Sequence, residues 1–66
     1  MQMIPVRSSA ITAIGFDPFT SRMKVTFIEG HTHYFCRVPA QVFEEFLEAH
    51  SKGMYYNDHI HDRYQC

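Results

Sequence analysis

From Arg22 to Phe27 apolar and polar residues alternate one by one, a pattern that fits a half-buried β-strand and not a helix. Met23, Val25 and Phe27 fall on one face, Lys24 and Thr26 on the other. Ile28-Glu29-Gly30 follows, and then His31-Thr32-His33-Tyr34-Phe35-Cys36-Arg37, which reads as the returning strand of a hairpin. Two loop lengths compete. A two-residue loop at Glu29-Gly30 pairs Ile28 with His31 and turns Thr32, Tyr34 and Cys36 toward the face of Val25. A three-residue loop pairs Phe27 with His31, turns His31, His33 and Phe35 toward that face, and leaves Tyr34 outside. The second is preferred, because Gly30 then occupies the left-handed position such loops need. One residue of slip would invert the assignment.

The segment from Val6 to Phe16 ends in Ile11-Thr12-Ala13-Ile14-Gly15-Phe16, a first strand with Thr12, Ile14 and Phe16 on one face. Asp17-Pro18-Phe19-Thr20-Ser21 is a turn, since Asp bonds its own downstream backbone and Pro presets φ. Pro39 suits a helix start. Gln41 to His50 then places Val42, Phe43, Phe46 and Leu47 on one stripe, with Glu44, Glu45 and Glu48 opposite. Ser51 can cap a second helix from about Lys52 to His59, anchored by Ile60. The expected fold is α+β in β-β-β-α-α order. A three-stranded antiparallel sheet carries both helices on one face, and its other face, with Lys24, Thr26 and Tyr34, stays open. Residues 1–7 are expected as a tail and residues 8–64 as a single domain. The expected core is Ile14, Phe16, Val25, Phe27, Phe35, Val38, Phe43, Phe46, Leu47 and Ile60.

With 66 residues there is room for one domain, with a stability of roughly 3–5 kcal/mol unless something staples it. The two cysteines, Cys36 and Cys66, read as reduced thiols, because Cys66 ends the chain and no export signal precedes them. No apolar run is long enough for a signal peptide or a membrane span. The expectation is a cytoplasmic protein with no membrane partner. Six Lys and Arg stand against seven Asp and Glu, so overall charge does not call for nucleic acid. The six Phe and four Tyr supply both core pieces and stacking surfaces.

Certain residues in order resemble a known family: Ser8-Ser9, Ile14-Gly15-Phe16-Asp17, the strand ending in Phe27, Val38-Pro39, Ser51-Lys52-Gly53, Tyr55-Tyr56-Asn57, Ile60 and Arg63-Tyr64. From about Ser8 to Tyr64 the chain resembles the KTSC domain, named for the C-terminus of some lysyl-tRNA synthetases, in its stand-alone bacterial form. The motif positions are His33, Tyr34, Phe35, Gly53, Asn57 and Tyr64. The family's central Tyr-x-Tyr aligns with His33-Tyr34-Phe35, so both outer tyrosines are replaced. His61 stands where members often carry Arg. The resemblance implies a non-catalytic binding module with RNA, either tRNA or single-stranded, as ligand.

Five kinds of chemistry compete for these residues. Lys24, Tyr34, Arg37, Lys52 and Arg63 form a candidate RNA surface, with bases stacking on the ring and cations meeting phosphates. Gly53 at a helix start could admit a phosphate, or simply permit a sharp turn with Tyr55 or Tyr56 packed beneath. Asn57 is expected to tie a backbone group. The His31-x-His33 and His59-x-His61 pairs lack further ligands at zinc spacing, so no metal and no cofactor are expected. Strand parity separates Cys36 from His33, and no phosphate loop or nucleophile elbow is present, so no catalysis is expected. An exposed strand edge or aromatic face could instead bind a protein or a second copy of the chain.

Overall fold

A four-stranded antiparallel meander forms the frame of the computed structural model, which describes residues 1–66. Strands β1 (Met3–Pro5), β2 (Ile11–Asp17), β3 (Arg22–Phe27) and β4 (Thr32–Phe35) lie side by side in chain order. Helix α1 (Ala40–Glu48) and helix α2 (Lys52–Tyr55) follow, and α2 runs on into a π-helical turn, Tyr56–Ile60. No helix is long and apolar enough to cross a membrane.

The sheet has one strand more than expected. Met3–Pro5, read as part of a tail, pairs with Gly15, Ile14 and Ala13 of β2. Three residues are too few to show a period, and Pro5 argues against a central strand. At a sheet edge, however, the missing Pro N–H costs no ladder bond.

The β3–β4 register follows the three-residue loop. Val25 lies opposite His33, Lys24 opposite Tyr34 and Met23 opposite Phe35. The Phe27 N–H donates to the His31 carbonyl at 2.8 Å, and Gly30 takes φ +102°. A side chain there would meet backbone strain, so glycine fixes the register. Asp17 Oδ1 accepts from the Phe19 N–H at 2.9 Å, closing the expected turn before β3.

Ile11, Ile14, Met23, Val25, Phe35, Val38, Phe46 and Ile60 are buried between sheet and helices. Phe16, Phe27, Phe43 and Leu47 pack against them, with the Phe16 and Phe43 rings stacked at 4.9 Å. Ile11 was not expected in the core, since strict alternation from Ile14 turns it outward. A bulge at Thr12 corrects the parity. Ile11 pairs with Phe27 but Ala13 with Thr26, so the extra residue returns Ile11 to the inner face.

The cysteines are not free. Cys36, just after β4, and Cys66 form a disulfide across a separation of 30 residues. The C-terminus is not frayed, because the Cys36 N–H also donates to the Tyr64 carbonyl at 2.7 Å. The tail runs back along the sheet edge and meets β4. The cysteines therefore give no argument for a reducing compartment.

Candidate functional site

Pairing across the sheet sets two rows on the face turned away from the helices. One row is Met3, Gly15, Lys24 and Tyr34; the next is Pro5, Ala13, Thr26 and Thr32. Tyr34 is 58% exposed, and the Lys24 ammonium sits 5.4 Å from the centre of its ring. A cation in that position is worth about 0.5–1 kcal/mol at an exposed site. The Thr26 and Thr32 hydroxyls lie 3.2 Å apart in the neighbouring row. Arg22, two residues before Lys24 on β3, shares this face. The acids of α1, Glu44, Glu45 and Glu48, lie on the helix layer. There Glu45 accepts from Gln41 Nε2 at 3.1 Å and from the Tyr55 hydroxyl at 3.0 Å. These glutamates thus lie on the side away from Lys24 and Tyr34, while Asp17 lies opposite Arg22 on the open face.

The other candidate RNA residues do not all join this face. Arg37 takes φ +56° just beyond β4, and Arg63 precedes Tyr64 in the tail. Cys36 and Tyr64 are hydrogen-bonded, so Arg37 and Arg63 flank one end of the sheet edge. Lys52 belongs elsewhere. Its ammonium donates to the Ala49 carbonyl at 2.7 Å, capping the end of α1 on the helix layer. A lysine near a helix C-terminus is an ordinary use of that charge.

Two motif residues also behave differently from expectation. Gly53 has an ordinary helical backbone within α2, and a Cβ built there would lie 3.6 Å from the Ala10 Cβ. It brings the helix close to the loop before β2 and makes no sharp turn. Asn57 is exposed in the π-turn and its side chain bonds no other group of the chain. Tyr64 is half-buried with φ +57°, and offers its carbonyl to Cys36.

A cleft of about 380 Å³ opens beside β4, lined by His33, Tyr34, Phe35, Tyr56, His61, Asp62, Gln65 and Cys66. The π-turn builds one wall. It aims Tyr56 at the sheet, where the ring meets Phe27 at 5.0 Å and Phe35 at 6.0 Å edge-on. His61 Nε2 lies 3.3 Å from Asp62 Oδ2. Burial first, and then the Asp62 charge, push the Tyr56 hydroxyl above its ordinary pKa. No three His, Cys, Asp or Glu side chains gather closely enough to hold a metal.

The family model for the KTSC domain matches residues 7–64. The chain belongs to the KTSC domain family. A crystal structure of a KTSC domain protein from Yersinia pestis superposes with a TM-score of 0.95 at 34% identity, covering 98% of this chain and 92% of that one. A protein of Tsukamurella paurometabola is 38% identical over 64 residues, 97% of this chain and 96% of its own length. One from Stutzerimonas stutzeri is 32% identical over 57 residues, 86% of this chain and 80% of its own. The KTSC resemblance read from the sequence is therefore right, as is the small α+β fold with its antiparallel sheet.

The cleft was missed by sequence reasoning. Its walls come from β4, the π-turn and the last residues, and the Cys36–Cys66 bond, with the hydrogen bond from Cys36 to Tyr64, brings the last of these to the first. The available signal was the even cysteine count.

Proposed function

We propose that this KTSC domain is a non-catalytic binding module that takes single-stranded RNA on the open face of its sheet. The observation that carries the reading is Lys24 poised over the exposed Tyr34 ring. A flat ring offers a stacking platform worth about 1–3 kcal/mol per base, and the cation beside it suits a phosphate. Arg22 on the same face, and Arg37 and Arg63 at its end, extend the basic track. The helix layer holds Glu44, Glu45 and Glu48 and faces away. Lys52 is left out of the site. The non-catalytic part is supported by Cys36, whose sulfur is bonded to Cys66 and is no nucleophile.

The test is an amide NMR titration with a short single-stranded RNA and a tRNA, at low salt and again at high salt. Shifts centred on Arg22, Lys24 and Tyr34 that fade with salt are expected, because counterion release drives such binding. Shifts indifferent to salt, or no shifts beside a relaxation time too long for a monomer, would replace RNA with a protein partner or a second copy.

A further inference from the structure

The outer edge of β4 carries an unfinished hydrogen-bond ladder. In an antiparallel pair, alternate residues turn both N–H and C=O toward the partner strand. The Phe27-to-His31 bond puts His31, His33 and Phe35 in the set facing β3. Thr32, Tyr34 and Cys36 therefore face outward. Cys36 already has a partner there, the Tyr64 carbonyl at 2.7 Å, whereas no loop or tail bond reaches Thr32 or Tyr34. The chain's own tail bonds this edge at Cys36 and not at Tyr34 or Thr32.

We infer that β4 takes an extended segment of another polypeptide at Thr32 and Tyr34, with an arginine or lysine side chain of that segment entering the cleft beside them. Strand addition to an open edge is a general mode of peptide recognition, in which the backbone gives affinity and a pocket gives selectivity. The residues of an antiparallel guest opposite Tyr34 and Thr32 exchange N–H and C=O bonds with them. The guest residue between these two lies opposite His33 and shares its face, which is the cleft side. Asp62 supplies the one side-chain carboxylate of the lining, and no Lys or Arg lines it. The Tyr56 ring and the Gln65 amide complete a site for a cation, by ring-face attraction and hydrogen bonding. This edge site is separate from the sheet-face reading, since it uses the Tyr34 backbone and not its ring.

The probe is a set of capped five-residue peptides of alternating Thr and Val whose central residue is varied through all amino acids. Binding is read by hydrogen exchange and shifts of the Thr32 and Tyr34 amides. Peptides with central Arg or Lys should protect both amides, and a central Glu should weaken binding by about tenfold. N-methylation of the residues flanking the centre should also weaken it by about tenfold, because the ladder bonds are lost. Asp62→Asn should cost the Arg peptide about two- to fivefold and the Val peptide nothing. Tyr34→Ala, which keeps the backbone groups, should leave peptide binding in place while altering any RNA binding. The proposal is overturned if no peptide protects these amides at about 1 mM. It is also overturned if N-methylated peptides bind equally well. Protection already present in the free protein and lost on dilution would assign the edge to a second copy instead.

Discussion

Cys36 and Cys66 close a disulfide at the same point of the sheet edge where the Cys36 N–H donates to the tail's Tyr64 carbonyl, the two cysteine Cα atoms 4.9 Å apart. The closed segment contains both helices, so the bond ties the helix layer to the end of β4. A bridge over a loop of this length contributes about 2–4 kcal/mol, chiefly by restricting the unfolded chain. That is most of what a core of this size supplies. Adding reductant, or replacing Cys66→Ser, should lower Tm by roughly 10–30 °C. A melting curve indifferent to reductant would show that the tail is held by packing alone.

The Tyr55 hydroxyl donates to Glu45 Oε1 at 3.0 Å and its ring stacks on Phe46. Burial, and then the hydrogen bond and charge of Glu45, raise its pKa from 10.0 to about 12. The folded chain thus holds this proton to higher pH than the unfolded chain. The stability involved is fully present below pH 10 and is lost as pH rises from 10 toward about 12. Tyr56 is shifted in the same direction and adds to the loss. Denaturant melts should show a fall in stability between pH 10 and about 12 that shrinks in Tyr55→Phe. An equal fall in that variant would assign the alkaline transition to other groups.

Much of the frame was legible because it rests on local signals. Alternation over Arg22–Phe27 and the glycine at position 30 set the hairpin and its register, and the stripe of Val42, Phe43, Phe46 and Leu47 set α1. What was not legible depends on distant partners. Met3–Pro5 is a strand only because β2 lies beside it, and Ile11 is inside only because a bulge resets its parity. Lys52 looks like a free cation until the Ala49 carbonyl is seen beneath it. The Lys24–Tyr34 pair follows from the register alone, and so this half of the candidate site could be read in advance. The cleft could not, because the disulfide assembles it.

Tyr34 and Phe35 are neighbours with opposite fates, one 58% exposed and the other 6%. Tyr34→Ala should therefore change stability by no more than about 0.5 kcal/mol, apart from the small cation–π contribution of Lys24. Phe35→Ala should cost about 3–5 kcal/mol and leave little folded protein at room temperature. Circular dichroism of the two variants checks both. Unfolding of Tyr34→Ala with a tolerated Phe35→Ala would mean that β4 is paired one residue out of register.

Ser51 accepts the Met54 N–H through its hydroxyl at 3.3 Å, while Lys52 caps the preceding helix. Ser51→Ala should cost about 0.5–2 kcal/mol, as loss of an N-cap does. Lys52→Ala should lower stability by about 0.3–1 kcal/mol and leave the salt dependence of any RNA binding unchanged. A salt slope lower by about one unit in Lys52→Ala would return this lysine to the binding surface.

Gly15 is buried on the outer face of β2 because the first residues of the chain lie over it. A Cβ there would come within 2.6 Å of Met3 Sδ, 3.0 Å of the Gln2 carbonyl oxygen and 3.1 Å of Met1 Cγ. The methionine side chains can swing aside, but the Gln2 carbonyl belongs to the backbone that leads into β1. Gly15→Ala should therefore lift β1 from the sheet edge and destabilise the domain by about 1–2 kcal/mol, although alanine suits a strand better than glycine does. Hydrogen exchange would show the loss first at the amides that bond β1 to β2. In a chain shortened to begin after Met3 the clash has no partner, and the same substitution should be neutral or slightly stabilising. A substitution equally harmful in both chains would place the constraint in the β2 backbone and not in the contact with the N-terminus.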